Sequence, residues 1–286
     1  QSEMVRDYIT EHNPDLTVEI LTMKTTGDKI LDRTLDKVGG KGLFVKELDH
    51  ALLDGRSELS VHSLKDMPME VPAELPLLDF SRREDPRDVL ILKKAESLDE
   101  LPYRAVIGTG SKRRAYQISA MRPDLKIVSI RGNVDTRIRK LKEGQLCEGE
   151  ILDGIVIAAG IKRIGRADEI TQYLSCDEMI PAPAQGTLAI ELKADNLDLL
   201  EKLNALSDEA AQESVDVERS FLKQIGGNCH LPVAAYCDKT DKGTFRLRAM
   251  FGTEDGSRLA FTDITDDDTE KIVERAVEEI RRQLEK

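Results

Sequence analysis

Two short stretches, one strand apart, gather the groups that hold small anions. Thr109-Gly110-Ser111-Lys112-Arg113-Arg114 combines hydroxyls, backbone amides at a helix start and two guanidinium groups. Arg131-Gly132-Asn133-Val134-Asp135-Thr136-Arg137 repeats the arrangement. One basic helix start is usually a solvated face, but two at neighbouring strand ends point to a pocket for carboxylate or phosphate. Between Arg104 and Lys140 ten Lys and Arg residues stand against two acids, Asp124 and Asp135, in a chain of net charge −12. That segregation suits a defined anion site better than general solubility. The negative total disfavours nonspecific adhesion to nucleic acid, and the near absence of aromatics here leaves no stacking platform.

Three further clusters carry reactive groups. In His62-Ser63-Leu64-Lys65-Asp66 a carboxylate beside a lysine can stay ionised or exchange a proton, although ordinary loop polarity reads the same way. Cys229 lies in Gly226-Gly227-Asn228-Cys229-His230-Leu231-Pro232, a tight turn with little side-chain cover, so its sulfur is expected to be accessible; a lone cysteine is more often inert packing. Gly39-Gly40-Lys41-Gly42 invites a phosphate-loop reading, but Gly42 follows Lys41 where Ser or Thr is required, which leaves a surface loop.

The elements that must position these groups follow from hydrophobic period. Residues 3–12 read as a helix, 16–23 as an alternating strand, and 43–55 as a helix with Leu48, Ala51 and Leu52 on one face. A strand at 58–62 leads into the Asp66 cluster. Strands at 88–92, 105–108, 126–130 and 154–158 then alternate with helices, which implies a largely parallel sheet with its polar clusters at the carboxyl ends. Pro181–Gly186 reads as a hinge, followed by a strand at 187–192 that crosses back to the first domain. After residue 205 come a helix (208–224), three antiparallel strand candidates, and a last helix using Ile272, Val273, Ala276, Ile280 and Leu284, together a small α+β domain. The stretch 141–150 is the most loop-like interior segment.

A chain of 286 residues exceeds one ordinary core and implies several domains. With 40% hydrophobic and 34% charged residues and no apolar run of about 20 residues, it reads as globular and soluble. The N-terminus shows no basic leader before an apolar stretch, so no signal peptide is expected. Four scattered cysteines (Cys147, Cys176, Cys229, Cys237) lack disulfide or zinc spacing, which fits a reducing compartment without a metal.

Taken together, KVGGKGLFVKELD (37–49), VHSLKDMP (61–68), REDPRDV (83–89), GTGSKRR (108–114), RGNVDTRIRKL (131–141), AAGIKRIG (158–165), PAPAQGTLAIE (181–191) and ERSFLKQIGGNCHLPV (218–233) resemble the porphobilinogen deaminase (hydroxymethylbilane synthase) family, in the family's order and over nearly the whole chain. The resemblance implies an α/β fold with two periplasmic-binding-protein-like domains around a cleft, plus a small α+β C-terminal domain. Expected boundaries are 1–81 with 187–204, then 82–186, then 205–286. It implies a transferase that joins four porphobilinogen units head to tail with loss of ammonia, on a dipyrromethane cofactor linked through a thioether to Cys229, with water releasing hydroxymethylbilane.

The resemblance makes Asp66 the catalytic carboxyl, delivering a proton to the leaving amine and then balancing the cationic azafulvene. Ser63, Lys65, Asp66, Thr109, Ser111, Arg113, Arg114, Arg131 and Arg137 match cofactor-binding positions, and Arg163, Lys41 and Gln185 substrate-binding ones. Planar guanidinium forks suit the acetate and propionate groups of such a ligand. A cytoplasmic monomer acting on a small molecule, without nucleic acid or membrane, is the matching expectation. The family opens with a strand and a basic, serine-containing loop, whereas this chain starts at Gln1 inside the first helix. Two alternatives stand beside this reading. A non-catalytic binder of a carboxylated ligand would need the arginines but neither Cys229 nor Asp66, and a nucleic-acid binder would use residues 104–140 in a salt-dependent way.

Overall fold

The structure, a computed structural model, describes residues 1–23, 45–80, 83–204, 209–227 and 231–285. In chain order its elements are α1 (Ser2–His12), α2 (Lys46–Leu53), β1 (Leu59–Ser63), β2 (Leu77–Phe80), β3 (Asp88–Leu92), β4 (Val106–Gly108), α3 (Lys112–Met121), β5 (Lys126–Val128), α4 (Val134–Glu143), β6 (Leu146–Cys147), β7 (Glu150–Ile151), β8 (Gly154–Ala158), β9 (Gln172–Leu174) and β10 (Leu188–Leu192). They continue with α5 (Leu197–Asn204), α6 (Glu209–Ile225), β11 (Val233–Lys239), β12 (Phe245–Gly252), β13 (Leu259–Asp266) and α7 (Thr269–Leu284). Short 3-10 turns cover Leu64–Asp66, Ala159–Ile164 and Ala167–Glu169. The elements divide into two units, Gln1–Glu84 with Thr187–Gln212, and Asp85–Gly186 with Glu213–Lys286.

In the first unit the sheet runs β1-β10-β2, antiparallel throughout, so the strand after Gly186 does return to pair with β1. Val5 and Ile9 of α1 pack with Leu188, Ile190, Leu192 and Leu203 on one face. The expected strand at 16–23 joins no ladder among the described residues. Its alternation still has a physical basis, because Leu16 and Val18 lie against that same core. Alternation reports a buried side, whereas a strand also needs a backbone partner.

The second unit contains a five-stranded sheet of order β5-β4-β8-β3-β9. Strict side-chain alternation puts Val89, Ile91, Ile155 and Ile157 in one core and Leu90 and Val156 in the opposite one. Helix α4 covers the first face through Ile138 and Leu141, and α3 covers the second through Ile118. Burial on both faces is why DVLIL and GIVIA are unbroken apolar runs. The sheet is mixed, not largely parallel: β4 runs parallel to β5 and β8, but β3 is antiparallel to β8 and β9. The cause is topological. The chain enters this unit at the edge where β8 ends, Asp88 pairing with Ala158, so β3 has to run the other way. Of the loop-like 141–150 stretch, the first three residues end α4, and the rest forms a two-stranded hairpin in which Leu146 pairs with Ile151, both exposed.

A separate C-terminal α+β domain completes the second unit. The β11-β12-β13 sheet is antiparallel, and α6 and α7 cover one face with Val217, Phe221, Ile225, Ile272, Val273, Ala276 and Ile280. Asp268 caps α7 by accepting from the backbone N–H groups of Glu270 and Lys271, both at 3.0 Å. On the other face Ala234 and Met250 meet Ile180.

Candidate functional site

Strand register brings the polar clusters of the second unit to one edge of its sheet. Gly108 pairs with Val128 and with Ile155 in parallel ladders, so residues 109–111, 129–133 and 159–164 all leave at that edge. Asp88 starts β3 opposite Ala158 and Leu174, which puts residues 85–88 and 175–186 there too. Both basic helix starts are capped as their sequence requires. Ser111 Oγ accepts from Arg114 N–H at 3.5 Å, and Asn133 Oδ1 from Thr136 N–H at 2.9 Å. Thr109, buried, accepts from Ser111 N–H at 3.2 Å. Gly132 sits at φ 111, where a Cβ would lie 2.5 Å from Thr136, so only glycine lets the loop turn into α4.

The arginines divide into two kinds. Arg113, 5% exposed, is spent inside the fold, donating from Nη1 to Asp88 Oδ2 at 2.6 Å and to the Ile180 carbonyl at 2.7 Å. Arg114 meets the same carboxylate through Nε at 3.0 Å and Nη2 at 2.9 Å. Arg131 and Arg137, by contrast, have no carboxylate within ion-pairing distance among the described residues. Arg137 donates from Nε to the Gly132 carbonyl at 2.7 Å. Burial, with the nearby charges of Arg114 and Arg131, pushes its guanidinium below the usual arginine range. Arg137 thus stands under the like charges of Arg114 and Arg131, a strain that an arriving polyanion would relieve.

Around them lie two residues expected at the site, Gln185 and Arg163, and one that the sequence motifs did not single out, Asp88. Asp88 is fully buried; burial would raise its carboxyl, but Arg113 and Arg114 hold it well below the usual carboxylate range. Gln185, also buried, donates to Pro86 O at 2.7 Å and to Asp88 Oδ1 at 2.9 Å. Arg163 donates to Gly186 O at 2.8 Å. The available signal for Asp88 was an acid opening an otherwise apolar strand, since a charge there has to find a partner.

In the first unit, β1 delivers the second cluster. Leu64 is buried and its N–H donates to Thr187 O at 3.0 Å, closing the turn that ends in Asp66, which is exposed. Lys65 is half-buried and Ser63 Oγ lies 3.2 Å from Gln1 Oε1. Next to this turn His62 stands beside two acids, Glu191 and Asp49, that the sequence reading passed over. His62 Nε2 is 3.1 Å from Glu191 Oε2, the two being 7% and 1% exposed. Burial and the charge of Glu191 raise the neighbouring Asp49 carboxyl to about 6, against a lowering by His62. Lys41 and Cys229 lie outside the described residues. No cluster of metal ligands occurs among the described residues, and none of their helices is long and apolar enough to cross a membrane.

Two family models match the chain: "Porphobilinogen deaminase, dipyromethane cofactor binding domain" over residues 1–201, and "Porphobilinogen deaminase, C-terminal domain" over residues 212–282. Among curated proteins, a porphobilinogen deaminase of Lachnospira eligens is 50% identical over 273 residues, covering 95% of this chain and 91% of that protein. One from Clostridioides difficile is 45% identical over 269 residues, covering 93% and 87%. Among solved structures, the periplasmic VFT2 domain of Bordetella pertussis BvgS is 18% identical, covering 77% of this chain and 81% of that one, at a TM-score of 0.41, too low to carry weight.

Proposed function

The chain belongs to the porphobilinogen deaminase family, and from that premise we propose that it joins four porphobilinogen units head to tail, with loss of ammonia, and releases hydroxymethylbilane by hydrolysis. The observation that carries the reading is the gathering of Arg114, Arg131 and Arg137 at one sheet edge, where Arg131 and Arg137 have no carboxylate partner among the described residues. That donor set fits the family's dipyrromethane, a ligand rich in carboxylates. Bound through a thioether to Cys229, the dipyrromethane would supply the pyrrole carbon on which the chain grows.

The chain's own residues would divide the work. Arg131, Arg137 and Arg114 hold carboxylates of the primer and of the incoming pyrrole. Thr109, Ser111, Ser63 and Lys65 add donors, and Arg163 and Lys41 serve substrate. Asp66, exposed at the end of its turn, can give a proton to the departing amine and then stand as counter-charge to the cation left on the substrate. We read three domains, 1–81 with 187–204, 82–186, and 205–286, a division supported by the separate sheets and cores. Cys147, Cys176 and Cys237 form no disulfide among the described residues, which supports a reducing, cytoplasmic setting, and we take the working form to be a monomer.

Intact mass and turnover test the proposal together. Freshly purified protein should carry a dipyrromethane adduct on Cys229. Asp66→Asn should retain the adduct at least in part while turnover falls by about a hundredfold or more. An unmodified thiol in active-site-intact protein would favour the non-catalytic binder, and normal product formation by Asp66→Asn would refute the assigned proton chemistry.

A further inference from the structure

Asp88 occupies the middle of the arginine-bearing edge, opposite Ala158 and Leu174 in the two flanking ladders. It accepts from Arg113 at 2.6 Å, from Arg114 Nε at 3.0 Å and from Gln185 Nε2 at 2.9 Å, and is wholly buried. A buried ion cluster of this kind is weak evidence for stability, because removing charges from water cancels much of the attraction. It does fix direction. Arg114 is held by its Nε and Nη2 side against Asp88 and reaches Gln185 Oε1 at 3.5 Å. Arg113 ties the same carboxylate to the Ile180 carbonyl, and Gln185 ties it to Pro86. Asp88 therefore has three bracing partners, Arg113, Arg114 and Gln185, and its charge offsets part of a cluster in which Arg114 also acts on Arg137.

We propose that Asp88 and Gln185 are positioning residues: they set the Arg114 fork beside Arg131 and Arg137, with Arg113 as a strut, and neither touches the ligand. The inference rests on the reading that these arginines hold the carboxylates of cofactor and substrate, and it moves Gln185 from substrate contact to support. A guanidinium aimed in advance loses less freedom on binding, so its orientation should govern affinity rather than the proton chemistry at Asp66.

The test uses the full-length protein with Asp88→Asn and Gln185→Ala, beside Arg131→Gln and Arg137→Gln. Intact mass reads adduct loading, steady-state kinetics on porphobilinogen separate KM from kcat, and thermal melting reads folding. Expected for Asp88→Asn is reduced loading and, in the loaded fraction, a KM raised about tenfold with kcat changed less than about threefold. Gln185→Ala should raise KM severalfold in the same pattern, and it decides the matter if Asp88→Asn fails to fold. Loading and KM like the parent protein in Gln185→Ala and in any folded Asp88→Asn would overturn the inference, as would a fall in kcat at constant KM. If the Arg131 and Arg137 variants raise KM while these two do not, only the positioning role fails. If all four leave loading and KM unchanged, the carboxylate-holding reading fails with it.

Discussion

Replacing Asp49 by asparagine should stabilise the protein at neutral pH and leave it nearly unchanged near pH 4. Asp49 lies on α2 against the buried His62–Glu191 pair, and its carboxyl is raised from 3.8 to about 6, chiefly by burial and then by the charge of Glu191. A rise of roughly two units corresponds to at most ~3 kcal/mol. Asp49 is only half-buried, so solvent screening brings the expected contribution to ~1 kcal/mol. The sign follows from proton linkage. The folded state holds the Asp49 proton up to about pH 6, whereas the unfolded chain releases it near 3.8. The associated stability is therefore full below 3.8 and is lost as pH rises through about 6. Asparagine keeps the volume, remains neutral, and can donate to Glu191 at every pH.

Urea unfolding followed by circular dichroism, at pH 4 and pH 7.5 with constant ionic strength, measures the difference between the two proteins. Asp49→Asn should gain ~1 kcal/mol at pH 7.5 and close to none at pH 4. A loss of equal size at both values would refute the reasoning, since it would mean that the ionised carboxylate is a net favourable partner of His62.

Two further outcomes follow from buried backbone near residue 185. Glu218, fully buried, accepts from Ala184 N–H at 2.7 Å and Cys237 N–H at 2.8 Å. Glu218→Ala strands both donors and should cost ~2–5 kcal/mol in urea unfolding, with Glu218→Gln costing less. Ala184 is held at φ 62, a left-handed conformation unfavourable for any side chain. Ala184→Gly should be neutral or stabilising by up to ~1 kcal/mol, whereas Ala184→Val should lower the melting temperature by several degrees.

What could be read from sequence was what local chemistry dictates. Residues 88–92 and 154–158 matched their expected bounds because strands covered on both faces are uninterrupted apolar text. Ser111 and Asn133 announced two helix starts through their side chains. The edge strands β2 and β9 escaped notice, being short and covered on one side only by a neighbour. Strand direction escaped as well, since the antiparallel course of β3 depends on where the chain enters the unit and not on the identity of its residues. Arg113 and Arg114 look equivalent in the sequence. Their difference arises because Arg113 is held between the Asp88 carboxylate and the Ile180 carbonyl, whereas Arg114 lays its Nε and Nη2 side against the same carboxylate, long-range pairings that no local pattern encodes.

The proposed attachment point and the guanidinium edge belong to the same unit, and the bonds joining them can be named. Ala235 N–H donates to Pro181 O at 3.1 Å, and Glu218 on α6 takes the Ala184 N–H. Arg246 and Arg248 both reach Asp177, and Tyr116 on α3 donates to the Glu254 carbonyl at 2.9 Å. Gly227, at the end of α6, packs so closely that a Cβ would lie 2.7 Å from Leu222, and β11 begins at Val233. Both ends of the segment carrying residue 229 are therefore rooted in a body fastened to Arg114, Arg131 and Arg137. A primer rooted there would meet these arginines at the high effective concentration of an intramolecular ligand. No single guanidinium contact then needs to be strong. A covalent root would keep the primer in place and leave the arginines to orient carboxylates, a task in which fork geometry counts for more than total charge.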